Sequence, residues 1–207
     1  MTDWYEDLAA FTAAARWFAA VAGAVDTEGD RPALGEWCVR DLVGHTSRAL
    51  LTVEAYLAAG AEAPPPVTVA SPAGYYRLAM ASLGEPSEVA ERGRTAGLDL
   101  GADPEGAVAT IATRVAALVG AAKPGDLVVT PVGGMRLADY LPTRTFELTV
   151  HTCDLAAALG VPASVPGAAA SAGLRLLADL AVDRGLAAAL LLAATGRGPL
   201  PVGFTVL

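Results

Sequence analysis

Cysteine and histidine each occur only twice in the 207 residues. Two cysteines cannot build a disulfide framework in a chain this long, which points to a reducing compartment. Basic residues are also scarce, 14 against 22 acidic ones for a net charge of −8. That balance argues against a nucleic-acid surface and against docking on anionic lipid, because both need clustered Lys and Arg. Long apolar runs are missing despite a mean hydropathy of +0.45. The most apolar stretch, Leu186 to Thr195, is ten residues long, about half of what a membrane-spanning helix requires. The N-terminal Met1-Thr2-Asp3-Trp4-Tyr5-Glu6-Asp7 is acidic where a signal peptide would be basic. Aromatics reach only 6% and charged residues 17%, against 54% hydrophobic residues. What is abundant, alanine and leucine, favours helix. The expectation is a soluble, cytoplasmic, mostly α protein with a sizeable core.

The pattern along the chain supports that class. Trp4, Leu8, Phe11, Ala15, Phe18 and Val21 or Ala22 form one stripe at helical spacing, predicting a helix from Asp3 to about Val25. Thr27 to Pro32 is expected as a polar loop. A second helix should run from Cys38 or Val39 to about Ala59 and stop at Gly60. Pro64-Pro65-Pro66 imposes an extended linker. Ser71-Pro72 and Asp103-Pro104 each pair an N-cap with a proline at the first helical position. They open a short helix through Tyr75, Leu78 and Met80 and a long one to about Ala122. Gly84-Glu85-Pro86 should interrupt, with a further turn or two over Ser87 to Thr95. Leu127 to Val132 followed by Gly133-Gly134 and Met135-Arg136-Leu137 predicts a short hairpin. Helices are then expected from Ala138 to Leu159, from Pro166-Gly167 through Leu180, and from Leu186 to Ala194, with a terminal strand over Pro199 to Leu207. The whole, residues 1–207, is expected to be one helical-bundle domain.

The two histidines, His45 and His151, fall inside long predicted helices rather than loops. Glu147 lies four residues before His151, so the two side chains share a helical face. Gly44, beside His45, lets another backbone approach. Packed side by side, the two helices would bring together two neutral imidazoles and one carboxylate. That set holds a catalytic zinc with an open coordination position, and equally iron(II) or nickel. The competing reading makes the histidines hydrogen-bonded core residues and Glu147 a solvated helix residue.

Nearby polar residues carry their own alternatives. Asp154, three after His151, is placed to orient an imidazole. Arg144, three before Glu147, could neutralise that carboxylate or bind a carboxylate of a substrate, and Arg48 stands three after His45. For each, a plain helix-surface ion pair is an equal reading. Asp41 suits the start of its helix. Cys153 lies nearly opposite His151 and is expected to pack rather than react. There is no strand–glycine–helix phosphate loop and no G-x-S-x-G nucleophile motif.

The wording around the histidines narrows the choice. Trp37-Cys38-Val39-Arg40-Asp41-Leu42-Val43-Gly44-His45 resembles the W-(S/T)-V-R-D-L-V-x-H entry of the mycothiol-dependent maleylpyruvate isomerase family. Phe146 to Ala156 resembles its second motif, E-x-x-x-H-x-x-D-(L/I)-A. Leu137-Ala138-Asp139-Tyr140-Leu141 and Thr195-Gly196-Arg197-Gly198-Pro199-Leu200-Pro201 are similar too. The resemblance implies a DinB-like four-helix bundle with extra short helices and a small β-hairpin. It implies a divalent metal, usually zinc, on His45, Glu147 and His151, with mycothiol as cosubstrate. Isomerases of the family carry a small second domain that supplies an active-site arginine. The residues after Ala194 are too few to build it, so that domain is expected to be absent.

Two functions follow from the resemblance and the residues. One is an enzyme that activates the mycothiol thiol on the metal for isomerisation of, or S-transfer to, an electrophilic substrate. In it Arg48 and Arg144 are candidates for cofactor binding beside the metal, and the electrophile's pocket would involve Tyr56, Tyr75, Tyr76 and the hairpin. No catalytic residue beyond the metal set is assigned. The other is a non-enzymatic metal- or thiol-binding module. A metal-free bundle holding an apolar ligand is the third alternative, and homodimerisation stays open.

Overall fold

The computed structural model describes residues 3–25, 29–82 and 86–207. Its order is α1 (Trp4–Ala22), β1 (Pro32–Leu34), β2 (Trp37–Cys38), α2 (Val39–Glu62), α3 (Pro72–Ala81), α4 (Pro86–Asp99), α5 (Pro104–Ala121), β3 (Leu127–Thr130), β4 (Gly133–Arg136), α6 (Leu137–Leu159), α7 (Gly167–Asp183) and α8 (Ala187–Ala194). The protein is mostly helical, as the composition and periodicity indicate. The Thr27-Glu28 part of the expected loop, the Gly84-Glu85 part of the expected break and the first two residues lie outside the described residues.

Helices α1 and α2 each pack on both α5 and α6, which closes a four-helix bundle. Helix α1 supplies Phe11, Ala15 and Phe18 of the stripe together with Ala14, all fully buried, against Leu42 and Leu50 of α2 and Leu141, Leu148 and Leu155 of α6. Burying side chains of this size stabilises by roughly 1.5–3 kcal/mol each before chain entropy is counted. The caps read from sequence are present: Ser71 Oγ accepts from the Gly74 N–H at 3.0 Å, and Asp103 Oδ1 from the Gly106 N–H at 2.9 Å. Helix α4 lies against α2, α7 against α1 and α6, and α3 spans α6 and α7. A second small cluster, Tyr76, Phe146, Leu176, Leu180, Ala181 and Val206, ties that outer layer together.

The structure differs from the sequence expectation in four places. Helix α2 continues through Gly60 to Glu62. The glycine serves close approach there, since a Cβ on it would stand 1.9 Å from the Leu127 carbonyl oxygen of the hairpin. Helix α4 runs 14 residues, well beyond the turn or two expected. Its internal glycines weaken it in isolation, and packing on α2 sustains it. Strands β1 and β2 form a second hairpin, turned by Gly35 at φ +56° and too short to leave a periodic signal. Pro199–Leu207 is not a strand. Two prolines withhold N–H groups from any ladder, the segment joins neither hairpin, and Phe204, Val206 and Leu207 pack into the second cluster instead. The β3–β4 hairpin itself pairs Leu127 with Arg136 through Thr130 with Gly133.

Candidate metal centre

Helix α2 carries His45, and its start is held firmly. The Asp41 carboxylate accepts from the Cys38 N–H at 3.1 Å, while the Val39 and Arg40 N–H groups donate to the Arg31 and Gly29 carbonyls at 2.8 and 2.9 Å. Glycine at 44 is required by the α4 crossing: a Cβ would lie 2.1 Å from the Gly97 nitrogen. Thr46 and Ser47, the two residues after His45, are buried and bond back to the Leu42 and Val43 carbonyls. The same back-bonding satisfies Thr145, Thr149 and Thr152 in α6. The polar groups left facing the space between α2 and α6 are therefore few.

Those few converge. One ligand atom each from His45, Glu147 and His151 falls within 4.8 Å of the others. The two imidazoles stand edge to face with centroids 4.8 Å apart and planes at 86°. His151 Nε2 is 3.3 Å from Glu147 Oε2, and His151 Nδ1 is 3.1 Å from Asp154 Oδ2. Tyr76 reaches in from α3, its hydroxyl donating to Glu147 Oε1 at 2.5 Å. Trp37 stacks on the His45 ring at 4.3 Å and is itself anchored by its indole N–H on the Ala90 carbonyl at 3.0 Å.

The electrostatics follow from these contacts. Burial, reinforced by the neighbouring His151, depresses His45 to about 4, so it is neutral at pH 7 with a lone pair available. Burial opposes ionisation of Glu147, but the hydrogen bond from His151 and the Arg144 charge outweigh it and hold the carboxyl at about 2. Burial likewise opposes charge on His151, yet Asp154 and Glu147 lift it to about 9. With the proton on Nδ1 directed to Asp154, Nε2 is the nitrogen turned to the other two residues. This is the carboxylate–histidine arrangement that orients metal-ligating imidazoles.

The set fits a divalent metal. His45 Nδ1 is sealed from solvent without a hydrogen-bond partner, a condition folded proteins rarely leave uncompensated. Two imidazoles and one carboxylate suit zinc, and they also suit neighbouring first-row ions, so the donors do not choose among them.

The remaining sequence candidates are dispersed around this centre. Arg144 is buried beneath Tyr75 and Tyr140, its guanidinium carbon 5.3 and 5.0 Å from their ring centres. Arg48 is half-buried and lines a cleft of about 430 Å³ with Glu88, Glu91, Arg92, Thr95 and Asp99, while its charge still bears on His45. Cys153 packs against the core, and burial pushes its thiol up. Tyr56 stands beside Tyr140, which in turn touches Tyr75, at 5.8 and 5.7 Å between ring centres. Sequence reasoning missed the role of Trp37 and the Tyr76–Glu147 bond. Trp37 stood inside the first motif, a signal within reach. Tyr76 is 71 residues from Glu147, and nothing local marks it.

No helix among the described residues is long and apolar enough to cross a membrane. No curated protein and no solved structure matches the chain. A family model described as the mycothiol maleylpyruvate isomerase N-terminal domain matches residues 8–156. That match runs from α1 into the last turns of α6 and takes in His45, Glu147, His151 and Asp154. It spans more than two thirds of the sequence, and on that extent the chain belongs to the mycothiol maleylpyruvate isomerase N-terminal domain family.

Proposed function

We propose that this protein is a metal- and thiol-dependent enzyme that uses mycothiol to isomerise an electrophilic substrate or to form an S-conjugate with it. The observation that carries the reading is the convergence of His45, Glu147 and His151 within 4.8 Å, in a chain of a mycothiol-related family. His45, Glu147 and His151 would hold the metal, with zinc the leading identity. A divalent metal bound there supplies a Lewis acid that lowers the pKa of a thiol at its open position.

The chain's own residues prepare that position. Trp37 covers one side of His45 and fixes its ring. Asp154 holds the His151 proton on Nδ1, and Tyr76 fixes one carboxylate oxygen of Glu147. Glu147, held at about 2 with both oxygens engaged, is suited to ligation and poorly suited to act as a base. Arg48 and its cleft offer hydrogen-bonding groups for the sugar scaffold of mycothiol. The thiol gives up its proton to solvent water and its sulfur adds to an electrophilic carbon. Taking a proton back from water leaves the adduct as an S-conjugate, whereas bond rotation and expulsion of the thiolate, which regains its proton from water, complete an isomerisation.

The test is titration of the cobalt-substituted protein with mycothiol, glutathione and bacillithiol. A thiolate-to-cobalt charge-transfer band that appears with mycothiol alone is the expected result. Turnover of an electrophile dependent on that thiol then separates an enzyme from a binding module. If no thiol alters the cobalt spectrum, the reading is wrong.

A further inference from the structure

Arg144 is a buried cation that feels the Glu147 charge but, among the described residues, touches no carboxylate. It is only 9% exposed, and among the described residues no carboxylate lies within ion-pair distance of it. Glu147, one helical turn away, has both oxygens committed, Oε1 to the Tyr76 hydroxyl and Oε2 to His151. The hydrogen bond Arg144 does make runs from Nε to Thr143 Oγ1 at 3.0 Å. Among the described residues its terminal nitrogens have no acceptor, yet they are not among the sealed unpartnered atoms found there, His45 Nδ1 and Asp139 Oδ2. They therefore border open space.

The group is also held in place. Tyr75 and Tyr140 present their rings to the guanidinium at 5.3 and 5.0 Å, a cation–π clasp that restricts its orientation. Tyr140 is anchored in turn by its hydroxyl on Thr52 Oγ1 at 3.1 Å. Arginine does not shed its proton, and a desolvated guanidinium whose donors lack acceptors is costly. A fixed, charged fork with free donors is suited to bidentate capture of a carboxylate.

We propose that Arg144, clasped by Tyr75 and Tyr140, receives a carboxylate of the electrophilic substrate and thereby restricts this site to acids. The inference deepens the proposed function and rests on it for the identity of the reactants. Mycothiol carries no carboxylate, since its cysteine carboxyl is tied up in an amide, so the anion belongs to the other reactant. Arg144 shares the α6 face of Glu147 and His151, one turn of about 5.4 Å along. That shared face suits a short acid, whose carboxylate and electrophilic carbon lie close together.

The experiment compares crotonate with its neutral isostere crotonamide, followed by ligand-observed NMR on the zinc-loaded and the metal-free protein. Crotonate should bind both forms, and crotonamide at least tenfold more weakly. Arg144→Met should weaken crotonate at least tenfold and leave crotonamide unchanged, with Arg144→Lys in between. Should Arg144→Met fail to fold, Tyr75→Leu loosens the clasp from a half-buried position and should selectively weaken crotonate. A purely structural arginine would lower stability without separating acid from amide. Equal affinity for the two ligands, no crotonate binding by the wild type, or crotonate binding that survives Arg144→Met would overturn the proposal. So would crotonate binding that requires the metal, because the carboxylate would then be a metal ligand. If thiols leave the cobalt spectrum unchanged while crotonate still depends on Arg144, the thiol reading fails and the anion site stands.

Discussion

The Tyr76 hydroxyl donates to Glu147 Oε1 at 2.5 Å, joining α3 to the ligand-bearing face of α6. Burial and the adjoining carboxylate push the phenol well above its ordinary pKa, so it remains a donor throughout the working range. Tyr76→Phe should therefore cost about 2 kcal/mol of stability, the worth of a buried hydrogen bond to a charged acceptor. It should also lower zinc affinity roughly tenfold, because the carboxylate loses the contact that orients it. Urea unfolding and competition with a chromophoric chelator measure the two effects. Unchanged zinc affinity would reduce Tyr76 to a packing role.

Purified protein should bind about one divalent metal per chain, measured by elemental analysis after dialysis. At a thousandfold excess over Kd, the metal should stabilise the fold by about 4 kcal/mol. The His45→Ala, His151→Ala double variant should lose both the ion and the thermal shift. Full occupancy in that variant would place the metal elsewhere.

Asp154→Asn tests the partner of His151 separately. With the charge removed, the His151 imidazole should titrate well below its present value of about 9. With two histidines in the chain, the two ring resonances are readily assigned by NMR. Zinc affinity should fall about tenfold.

The metal-free protein should have a stability maximum near pH 6.5. His151 is raised to about 9, so its contribution is complete below about 6.5, the ordinary histidine value, and is lost as pH rises through 9. His45 is depressed to about 4, so its contribution is complete above about 6.5 and is lost as pH falls through 4. Glu147, held at about 2, adds stability that is present above about 4.3 and is lost as pH falls through 2. Tm should thus decline on both sides. Excess zinc should flatten the alkaline side, because the ion takes the place of the Nε2 proton.

Gly44→Ala should be among the more damaging small changes. The new methyl would stand 2.1 Å from the Gly97 nitrogen and 2.5 Å from its Cα, backbone atoms that move only if α4 does. A loss of about 3 kcal/mol is expected, at the upper end of overpacking costs. Because His45 is the next residue, zinc affinity should fall with it. Equilibrium unfolding with and without zinc checks both.

Much of the helical layout was legible because it is local. The α1 stripe, the Ser71 and Asp103 caps, and Gly160 at φ +69° ending α6 each depend on neighbours within about a turn. Helix α4 was underestimated because its support comes from α2, and Gly60 was misread because its reason is the Leu127 carbonyl of a distant hairpin. The terminal strand failed on the same ground: a strand needs an edge, and Phe204, Val206 and Leu207 found a helix face instead.

The candidate site divides in the same way. Glu147, His151 and Asp154 lie within eight consecutive residues of α6, and helical geometry alone puts them on one face. The residue motifs brought His45 into the same frame. Only the packing of α2 on α6 sets its ring 4.8 Å from that of His151, and only α3 brings Tyr76 to Glu147. Arg144 shows the division in a single side chain. Sequence placed it one turn from Glu147, where an ordinary ion pair was an equal reading. Tertiary packing gave both Glu147 oxygens to other donors and closed two tyrosine rings over the guanidinium. Periodicity is a property of one chain segment, whereas a counter-ion is chosen by every segment that packs around it.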